Sequence, residues 1–191
     1  MSAPTLIRRE LKNARLYFIP AGETIALGNG SSSMVVANAL WPDNTPPENW
    51  TLFQFSDIET VKEAKEVETE TFKVPKAAGG YFIDTEETLL KRVWTATTAK
   101  TNSLLKQLEH ALAAPVVANT AQAPFVQQNN FIDGVMPLEI QNKNGVVIER
   151  TQVWGRLRLV SAGDVGPATA KVEFSIEQRE STLNTYVAYA G

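Results

Sequence analysis

Glutamate occupies alternate positions near the middle of the chain, at Glu66, Glu68 and Glu70, and valine or threonine occupies the positions between them. Successive side chains of a β-strand point to opposite faces, so this spacing predicts a strand with one acidic face. Carboxylates that neighbour one another on a strand face repel, and water must screen them. Such a face is typical of a hydrated pore lining or an exposed sheet edge, and an ordinary solvated strand face is the simpler alternative.

Few other residue types in the sequence could do chemistry. The chain has no cysteine and a single histidine, His110, which excludes thiolate metal sites and most nucleophile–histidine arrangements. We expect His110 to be structural, beside Glu109 on a helix. Paired carboxylates such as Glu86 and Glu87 would serve a glycosidase only in an aromatic-lined cleft. The sequence therefore predicts no catalytic residue, no metal and no cofactor, and a small β-barrel hydrolase or ligand binder remains an alternative.

Composition indicates one globular domain over residues 1–191. The chain is 43% apolar and 20% charged, and a chain of this length can bury a large core. Its formal net charge of −3 gives no electrostatic reason for tight binding to nucleic acid or to an anionic membrane. No apolar run is long enough to span a bilayer, and residues 1–12 carry charge where a secretory segment would be apolar. We expect no membrane anchor and assembly in a cytoplasm.

The first part of the chain predicts an arm over residues 1–12, a strand over residues 14–20 and a proline-rich loop over residues 40–50. Prolines in this loop forbid regular strand pairing, and Trp41 and Trp50 bracket it. Tryptophans at such positions anchor a loop either on its own core or on a partner.

Residues 57–98 predict a long hairpin of two strands with its tip near Gly79 and Gly80. Helix competes with strand at residues 57–65, where apolar residues recur at a spacing of three. Threonine, valine and phenylalanine in the following residues favour strand. We predict a strand throughout.

The rest of the chain predicts one helix followed by strands. Residues 103–113 carry an apolar stripe at helical spacing, with Asn102 or Ser103 as the N-cap. Asn144 and Gly145 predict a turn between strands at 138–141 and 146–149, and further strands are expected at 152–160, 169–176 and 186–189. The predicted fold is mainly β, an antiparallel β-sandwich or barrel with one flanking α-helix.

In this order, the arm, the proline-rich loop, the acidic hairpin and the helix resemble the major tail tube protein of long-tailed bacteriophages. The segment ENWTLFQFSDIETVKEAKEVETE is similar to the point where such proteins pass from a tryptophan-containing loop into the first channel-lining strand. The resemblance covers nearly the whole chain, and it depends on the layout of elements because the chain has no signature motif.

The resemblance implies a structural virion protein that forms stacked hexameric rings, whose hairpins join into one ring-wide β-barrel around an acidic channel. Glu66, Glu68 and Glu70 would face the channel, and viral DNA would pass without specific binding during ejection. Val67, Thr69 and Thr71, between them on the strand, would pack outward on the sandwich. The expected partners are further copies of the chain, the tape measure protein and the tail tip and terminator proteins, and the expected location is the virion tail. Type VI secretion tube proteins share this architecture. A tail terminator or completion protein is the alternative, although it would not need long hairpins.

Segments without a core of their own are expected to lie at contacts between subunits or rings. The predicted contact residues are Leu6, Ile7, Arg8, Arg9, Trp41, Trp50, Gly79 and Gly80. Basic residues interrupt the acidic character of the hairpin, and we hypothesise that they form ion pairs between subunits. They are Lys62, Lys65, Lys91 and Arg92, and the sequence does not assign the faces on which they lie.

Deletion of residues 1–9 is expected to block polymerisation and leave a folded subunit. A stacked tube repeats one contact along its axis, so a small loss at each subunit is multiplied along the polymer. Sedimentation and electron microscopy of the truncated protein measure this effect. Tubes of normal length after the deletion would contradict an assembly role for the arm.

Overall fold

The computed structural model describes residues 13–26, 33–38, 53–122, 130–163, 171–182 and 184–189. Most of these residues form antiparallel strands, and the described part of the chain has one α-helix. The mainly β, antiparallel fold class predicted from the sequence is therefore confirmed. The elements are β1 (Asn13–Leu16), β2 (Ile19–Pro20), β3 (Thr24–Ala26), β4 (Ser33–Val35), β5 (Ile58–Pro75), β6 (Tyr81–Thr98), α1 (Ser103–Glu109), β7 (Ile132–Gln141), β8 (Val147–Ser161), β9 (Val172–Gln178) and β10 (Thr185–Ala188).

Eight strands form one open sheet, with the order β1-β7-β8-β9-β6-β5 along its main path. Strand β2 also pairs with β7, and β10 also pairs with β8. Strands β3 and β4 make a separate two-stranded sheet. No closed barrel is present among the described strands, and β5 lies at one edge of the sheet.

The predicted long hairpin is present, because β5 and β6 are 18 residues each and pair along their whole length. The strand predicted at residues 57–65 is confirmed over the part that starts at Ile58. Strand β9 pairs with β6 only from Val93 to Thr98, so the remaining part of the hairpin projects beyond the sheet. We call that part, residues 65–92, the distal hairpin.

The pairing of β5 with β6 shifts register at two places. Glu66 pairs with Lys91 and Val67 pairs with Leu89, which leaves Leu90 without a partner on β5. A similar shift separates Ile58 from Thr60. A β-bulge of this kind increases local twist and bends the bulged strand. The bulge at Leu90 lies within the distal hairpin, close to the point where the hairpin leaves the sheet.

The main core lies on one face of the sheet. Buried side chains from five strands pack there with α1, which buries Leu104, Leu105 and Leu108. The largest fully buried side chains include Trp94, Phe18 and Phe174, and the Phe55 and Phe174 rings lie 4.3 Å apart. Burying aromatic and aliphatic side chains of this size is the dominant favourable term in folding.

A second, smaller core lies on the other face of the sheet. Strands β3 and β4 cover this face at one end, where Ile25 and Val36 pack with Tyr17, Val135 and Trp154. Together the two cores cover the sheet on both sides only near β7 and β8. Toward β9, β6 and β5, the face that carries the second core is polar.

The helix is shorter than residues 103–113. Asn102, one of the two predicted candidates, is the N-cap, and its side chain accepts a hydrogen bond from the Leu105 backbone N–H. The helix ends at Glu109 because Ala111 has a φ of 48°, which is a left-handed conformation. The Leu112 N–H donates to the Gln107 carbonyl at 2.9 Å, which closes the helix with a Schellman-type turn.

The hairpin between β7 and β8 has longer strands than predicted. Strand β8 is continuous from Val147 to Ser161, so the strands expected at 146–149 and 152–160 are one element. The turn contains Asn144 and Gly145, as predicted, and the Asn142 side chain holds it by accepting from two backbone N–H groups. Continuous pairing with β7 explains the merger, because the ladder has no break at residues 150–151.

Several predicted features lie outside the described residues. They are the arm at residues 1–12, the loop at residues 40–50, and the contact residues Leu6, Ile7, Arg8, Arg9, Trp41 and Trp50. The assignments made for them therefore stay predictions.

Gly134→Ala is expected to destabilise the protein by about 2–3 kcal/mol. An added Cβ at Gly134 would lie 2.3 Å from the Ile19 carbonyl oxygen, so β2 could not keep its place on β7. Urea unfolding measures the change. Val160→Ala, at an exposed position of β8, is the control and should change the free energy of unfolding by less than about 0.5 kcal/mol. Equal effects of the two substitutions would contradict the packing described here.

Candidate functional site

The acidic strip predicted from the sequence lies on the distal hairpin. Glu66, Glu68 and Glu70 are exposed and occupy alternate positions of β5, where the strand has no bulge of its own. Alternation along a strand puts them on one face, as predicted. We call this face of the hairpin the acidic face.

Strand β6 adds two further carboxylates to the acidic face. Glu86 pairs with Glu70, and Asp84 pairs with Phe72, the next position of β5 on the same face. Like charges directly opposite each other on a ladder are unfavourable. Because all of these carboxylates are exposed, water and salt screen the repulsion. The face therefore combines a high density of negative charge with free access to solvent.

The opposite face of the distal hairpin is also uncovered. Val67, Thr69 and Thr71 were expected to pack on the sandwich, but all three are exposed, and Val67 has 43% of its surface accessible. The expectation is wrong for the single chain because no described element covers the hairpin beyond the end of β9. Ile83 and Tyr81 are also exposed, at 69% and 66%.

Beyond the glutamates, the acidic face continues onto the main sheet as a row of ion pairs. Lys91 Nζ lies 3.2 Å from Glu177, and Arg156 binds Asp133 with two hydrogen bonds of 2.8 and 3.0 Å. The Arg156 guanidinium also lies over the Phe131 ring, 3.5 Å from its centre. Positive and negative groups are paired in this region, whereas the acidic face of the distal hairpin carries five carboxylates.

Glu177 is the carboxylate on which this row of ion pairs converges. Partial burial alone would raise the pKa of Glu177, but the hydrogen bond and positive charge of Lys91, together with those of Arg179, lower it overall. A carboxyl whose pKa is lowered by folding stabilises the fold above its unfolded pKa. That contribution is lost as the pH falls through the folded-state pKa.

Arg92 lies on the opposite face, the one that carries the main core, and borders this core at Trp94. Its guanidinium donates to Glu63 Oε1 at 2.6 and 2.9 Å and lies 5.5 Å from the centre of the Trp94 ring. Lys91 and Arg92 therefore both have partners in their own chain, so the proposed pairing between subunits is not needed to satisfy them. By alternation along β5, Lys62 lies on the side of the acidic face and Lys65 on the side of Arg92.

The tip of the hairpin is a hydrogen-bonded turn. The Lys76 N–H donates to the Gly80 carbonyl and the Gly79 N–H donates to the Lys76 carbonyl, both at 3.0 Å. Gly79 and Gly80 have φ values of 85° and 82°, which residues with a Cβ rarely adopt. Both glycines are exposed, so the tip is accessible for the predicted contact.

A buried ion pair near β1 was not foreseen from the sequence. Arg150 donates to Glu139 Oε1 at 2.6 Å, and the two side chains are only 6% and 3% exposed. Tyr17 donates to the same carboxylate at 3.4 Å, and burial followed by the charge of Glu139 raises the pKa of the Tyr17 hydroxyl. The paired positions of Glu139 and Arg150 on β7 and β8 bring them together. No local pattern could have indicated it, since the two residues meet only through strand register.

His110 caps the C-terminal end of α1 and is 48% exposed. Its Nε2 lies 3.9 Å from Glu109, and the structural role expected for it stays a prediction. Among the described residues, no group of three acidic or histidine side chains could hold a metal ion. No helix in the described ranges is long and apolar enough to cross a membrane.

A groove of about 440 Å³ opens on the face of the sheet that carries the main core, beside the root of the distal hairpin. Its lining comes from β6, β8, the end of β9, the start of β10 and the residue before β10. The lining residues are Arg92, Thr151, Val153, Gln178, Asn184, Thr185 and Tyr186. The glutamates of the acidic face lie outside it, so this groove does not provide the carboxylate-lined cleft of a hydrolase.

Replacing Lys91 with glutamine is expected to raise the pKa of Glu177, because it removes the main group that lowers it. Titration of the glutamate carboxyl carbons by NMR measures this pKa. Lys62→Gln is the matched control. Lys62 lies on β5, on the same face of the sheet as Lys91 but outside the contacts of Glu177, so the pKa of Glu177 should not change. A Glu177 pKa that is insensitive to Lys91 would contradict the ion pair.

Comparisons with known proteins found structures of an extracellular contractile injection system and of the anti-feeding prophage. A chain of an extracellular contractile injection system, in the PVC sheath–tube complex in the extended state, aligns with a TM-score of 0.40 and 10% identity over 72% of this chain and 84% of that one. The tube-terminating cap of the anti-feeding prophage aligns at 0.39 and 8% identity, covering 98% and 97%. The PVC sheath/tube terminator aligns at 0.39 and 9% identity, covering 99% and 100%.

No family model and no curated protein sequence matches this chain. At TM-scores of 0.40 and below, the structural alignments do not assign the chain to a family. The function proposed below is therefore argued from the hairpin and its charges.

Proposed function

We propose that this chain is a structural subunit that assembles as stacked hexameric rings into the tail tube of a phage-like particle. The hairpins of each ring would join into one β-barrel, with the acidic face toward the channel. The observation that carries the proposal is the hairpin of two 18-residue strands, whose distal part projects beyond the sheet with both faces in solvent.

The free strand edges of the hairpin support assembly. Among the described strands, β5 pairs only with β6, and β6 has no partner other than β5 from Tyr81 to Arg92. A long unpaired edge presents a row of free N–H and C=O groups that pair readily with another chain. If β5 of each copy pairs with the free part of β6 of the next, the open edges of the distal hairpins are used and the ring closes.

The distribution of side chains on the hairpin gives the ring an orientation. Five carboxylates and the exposed Phe72 lie on one face, and Val67, Ile83 and Tyr81 are exposed on the other. A closed barrel is stable when its charged face is hydrated and its apolar face is covered. The acidic face would therefore line the channel, and the apolar face would lie against the bodies of neighbouring subunits.

An acidic channel suits the passage of DNA. Negative side chains repel the phosphate backbone, so the polymer passes along the wall without binding to it. The role is structural and requires no catalytic group. Tape measure, tail tip and terminator proteins would be partners of the assembled tube, and the virion tail its location. A terminator ring would not need a hairpin of this length, which favours a tube subunit.

The tips and arms of the subunits would make the contacts between rings. Gly79 and Gly80 lie at the exposed end of the projecting hairpin, where a neighbouring ring could reach them. The remaining contact residues proposed are Leu6, Ile7, Arg8, Arg9, Trp41 and Trp50.

Electron microscopy of the purified wild-type protein at high concentration tests the proposal directly. We expect rings or tubes with a central channel, formed by the protein alone or after addition of a phage tail tip complex as a nucleus. A protein that stays monomeric under both conditions would overturn the proposed function.

Simultaneous change of Glu66, Glu68 and Glu70 to lysine is expected to leave the fold intact, because exposed charges contribute only about 0–1 kcal/mol each. Tubes with this basic wall should bind double-stranded DNA, with an affinity that falls as salt rises. Filter binding at several salt concentrations measures the effect.

The matched control for this experiment is the triple change of the same residues to glutamine, which removes the charge without reversing it. The glutamine tubes should bind DNA much more weakly than the lysine tubes. If the lysine tubes bind DNA no better than the wild type, the glutamates do not face a DNA-accessible channel.

A further inference from the structure

Next to the row of ion pairs, the polar face of the main sheet carries a second row of polar side chains. Its members are paired in register across β8, β9, β6 and β5, in the order Arg158, Ser175, Thr95 and Lys62. On each of these strands a neighbouring residue packs in or against the main core. Side chains alternate along a strand, so all four members lie on the opposite, polar face. We call them the arginine–lysine row.

The two cations of the arginine–lysine row have no carboxylate partner among the described residues. In the adjacent row of ion pairs, by contrast, each cation binds a carboxylate of its own chain. The Arg158 guanidinium lies 5.4 Å from the centre of the Phe131 ring, a contact that orients the guanidinium without neutralising its charge. Arg158 and Lys62 are both exposed. Two positive charges are therefore available to a ligand on this face.

Two hydroxyl groups lie between these cations. Thr95 and Ser175 are half-buried, and neither hydroxyl has a hydrogen-bond partner in the described part of the chain. The nearby hydroxyls of Thr60 and Thr97 differ, because they bond to each other at 2.8 Å. A hydroxyl group can donate to an anion that lies above the strands. The row therefore combines two cations with two unused donors.

A phosphate group suits both the charge and the spacing of the row. Adjacent strands of a sheet are about 4.8 Å apart, so the Cα atoms of Arg158 and Lys62 are separated by about 14 Å. The two long side chains can extend toward each other over the hydroxyls and reach one anion. Arginine and lysine both bind phosphate, and a tetrahedral phosphate presents enough oxygen atoms to accept from both cations and both hydroxyls.

We propose that the arginine–lysine row is a binding site for a phosphate group. The source of that group rests on the proposed function: Lys62 lies on the side of the acidic face, so the site would face the channel and contact the phosphodiester backbone of passing DNA. The contact is weak and local, because Glu173 and the carboxylates of the distal hairpin lie on the same face. DNA would touch the wall at this row and be repelled along the hairpin.

NMR titration of the free, isotope-labelled subunit with inorganic phosphate tests the site, with sodium chloride at equal ionic strength as the reference. We expect saturable shifts of the Ser175 and Thr95 backbone amide signals. Lys62→Gln and Arg158→Gln should each weaken binding by about fivefold, because each removes one charged contact. Lys143→Gln, in the exposed turn between β7 and β8, is the matched control and should leave the affinity unchanged.

Thr95→Val distinguishes a shaped site from general attraction of anions. The substitution preserves the charge and nearly the volume of the side chain but removes one donor, so phosphate binding should weaken by about threefold to fivefold. Thr88→Val, at an exposed position of the distal hairpin, is the matched control and should have no effect. Glu173→Gln removes a carboxylate two residues from Ser175 and should strengthen binding.

A short double-stranded DNA at the same phosphate concentration distinguishes the two sources of phosphate. Shifts of the same signals would support the contact with DNA. A response to inorganic phosphate alone would support the anion site and overturn the contact with DNA. Absence of saturable shifts with either probe, or equal weakening by Lys143→Gln, would overturn the site and leave the tube function standing. A protein that never assembles would overturn the tube function, whereas titration of the free subunit would still decide the phosphate site.

Discussion

The backbone hydrogen bonds of β6 are the constraint on which the rest of the structure depends. This strand pairs with β5 along its whole length and with β9 over only its last residues, from Val93 to Thr98. The paired end carries Trp94 and Ala96 into the main core, and the other end projects into solvent. Unsatisfied backbone groups are costly, so the part of β6 that pairs with β9 anchors the hairpin to the sheet. The part beyond β9 leaves a free edge with which another strand can pair.

The electrostatics follow the same division. Where neighbouring strands are present, several charges on the polar face are paired, as in the contacts of Lys91 with Glu177 and of Arg156 with Asp133. Where β5 and β6 stand alone, carboxylates accumulate on one face. Paired charges are therefore typical of the sheet body, whereas carboxylates gather on one face of the part of the molecule that no described element covers.

Local sequence patterns predicted where strands and the helix lie. The ion pairs and the groove depend on contacts between residues that are distant in the sequence. The alternation at residues 66–71 predicted β5, and Asn102 predicted the start of α1 correctly. The end of α1 depends on the left-handed Ala111, a residue type that does not signal a helix end. The Glu139–Arg150 pair and the groove at Gln178 arise only when strands of distant sequence are aligned. Single-sequence reasoning contains no information on that alignment.

The bulge at Leu90 acts as a phase shift in the side-chain pattern of β6. Up to residue 89, even positions such as Asp84 and Glu86 share the face of Glu70, whereas from Lys91 onward the odd positions do. The extra residue therefore lets Trp94 point into the core while Glu86 remains among the carboxylates. Evolutionary insertion or loss of one residue here would invert one half of the strand relative to the other. Single substitutions in the distal hairpin do not change this phase. The number of residues from the bulge at Leu90 to Trp94 in the core must stay even, because an odd change would turn Trp94 to the opposite face.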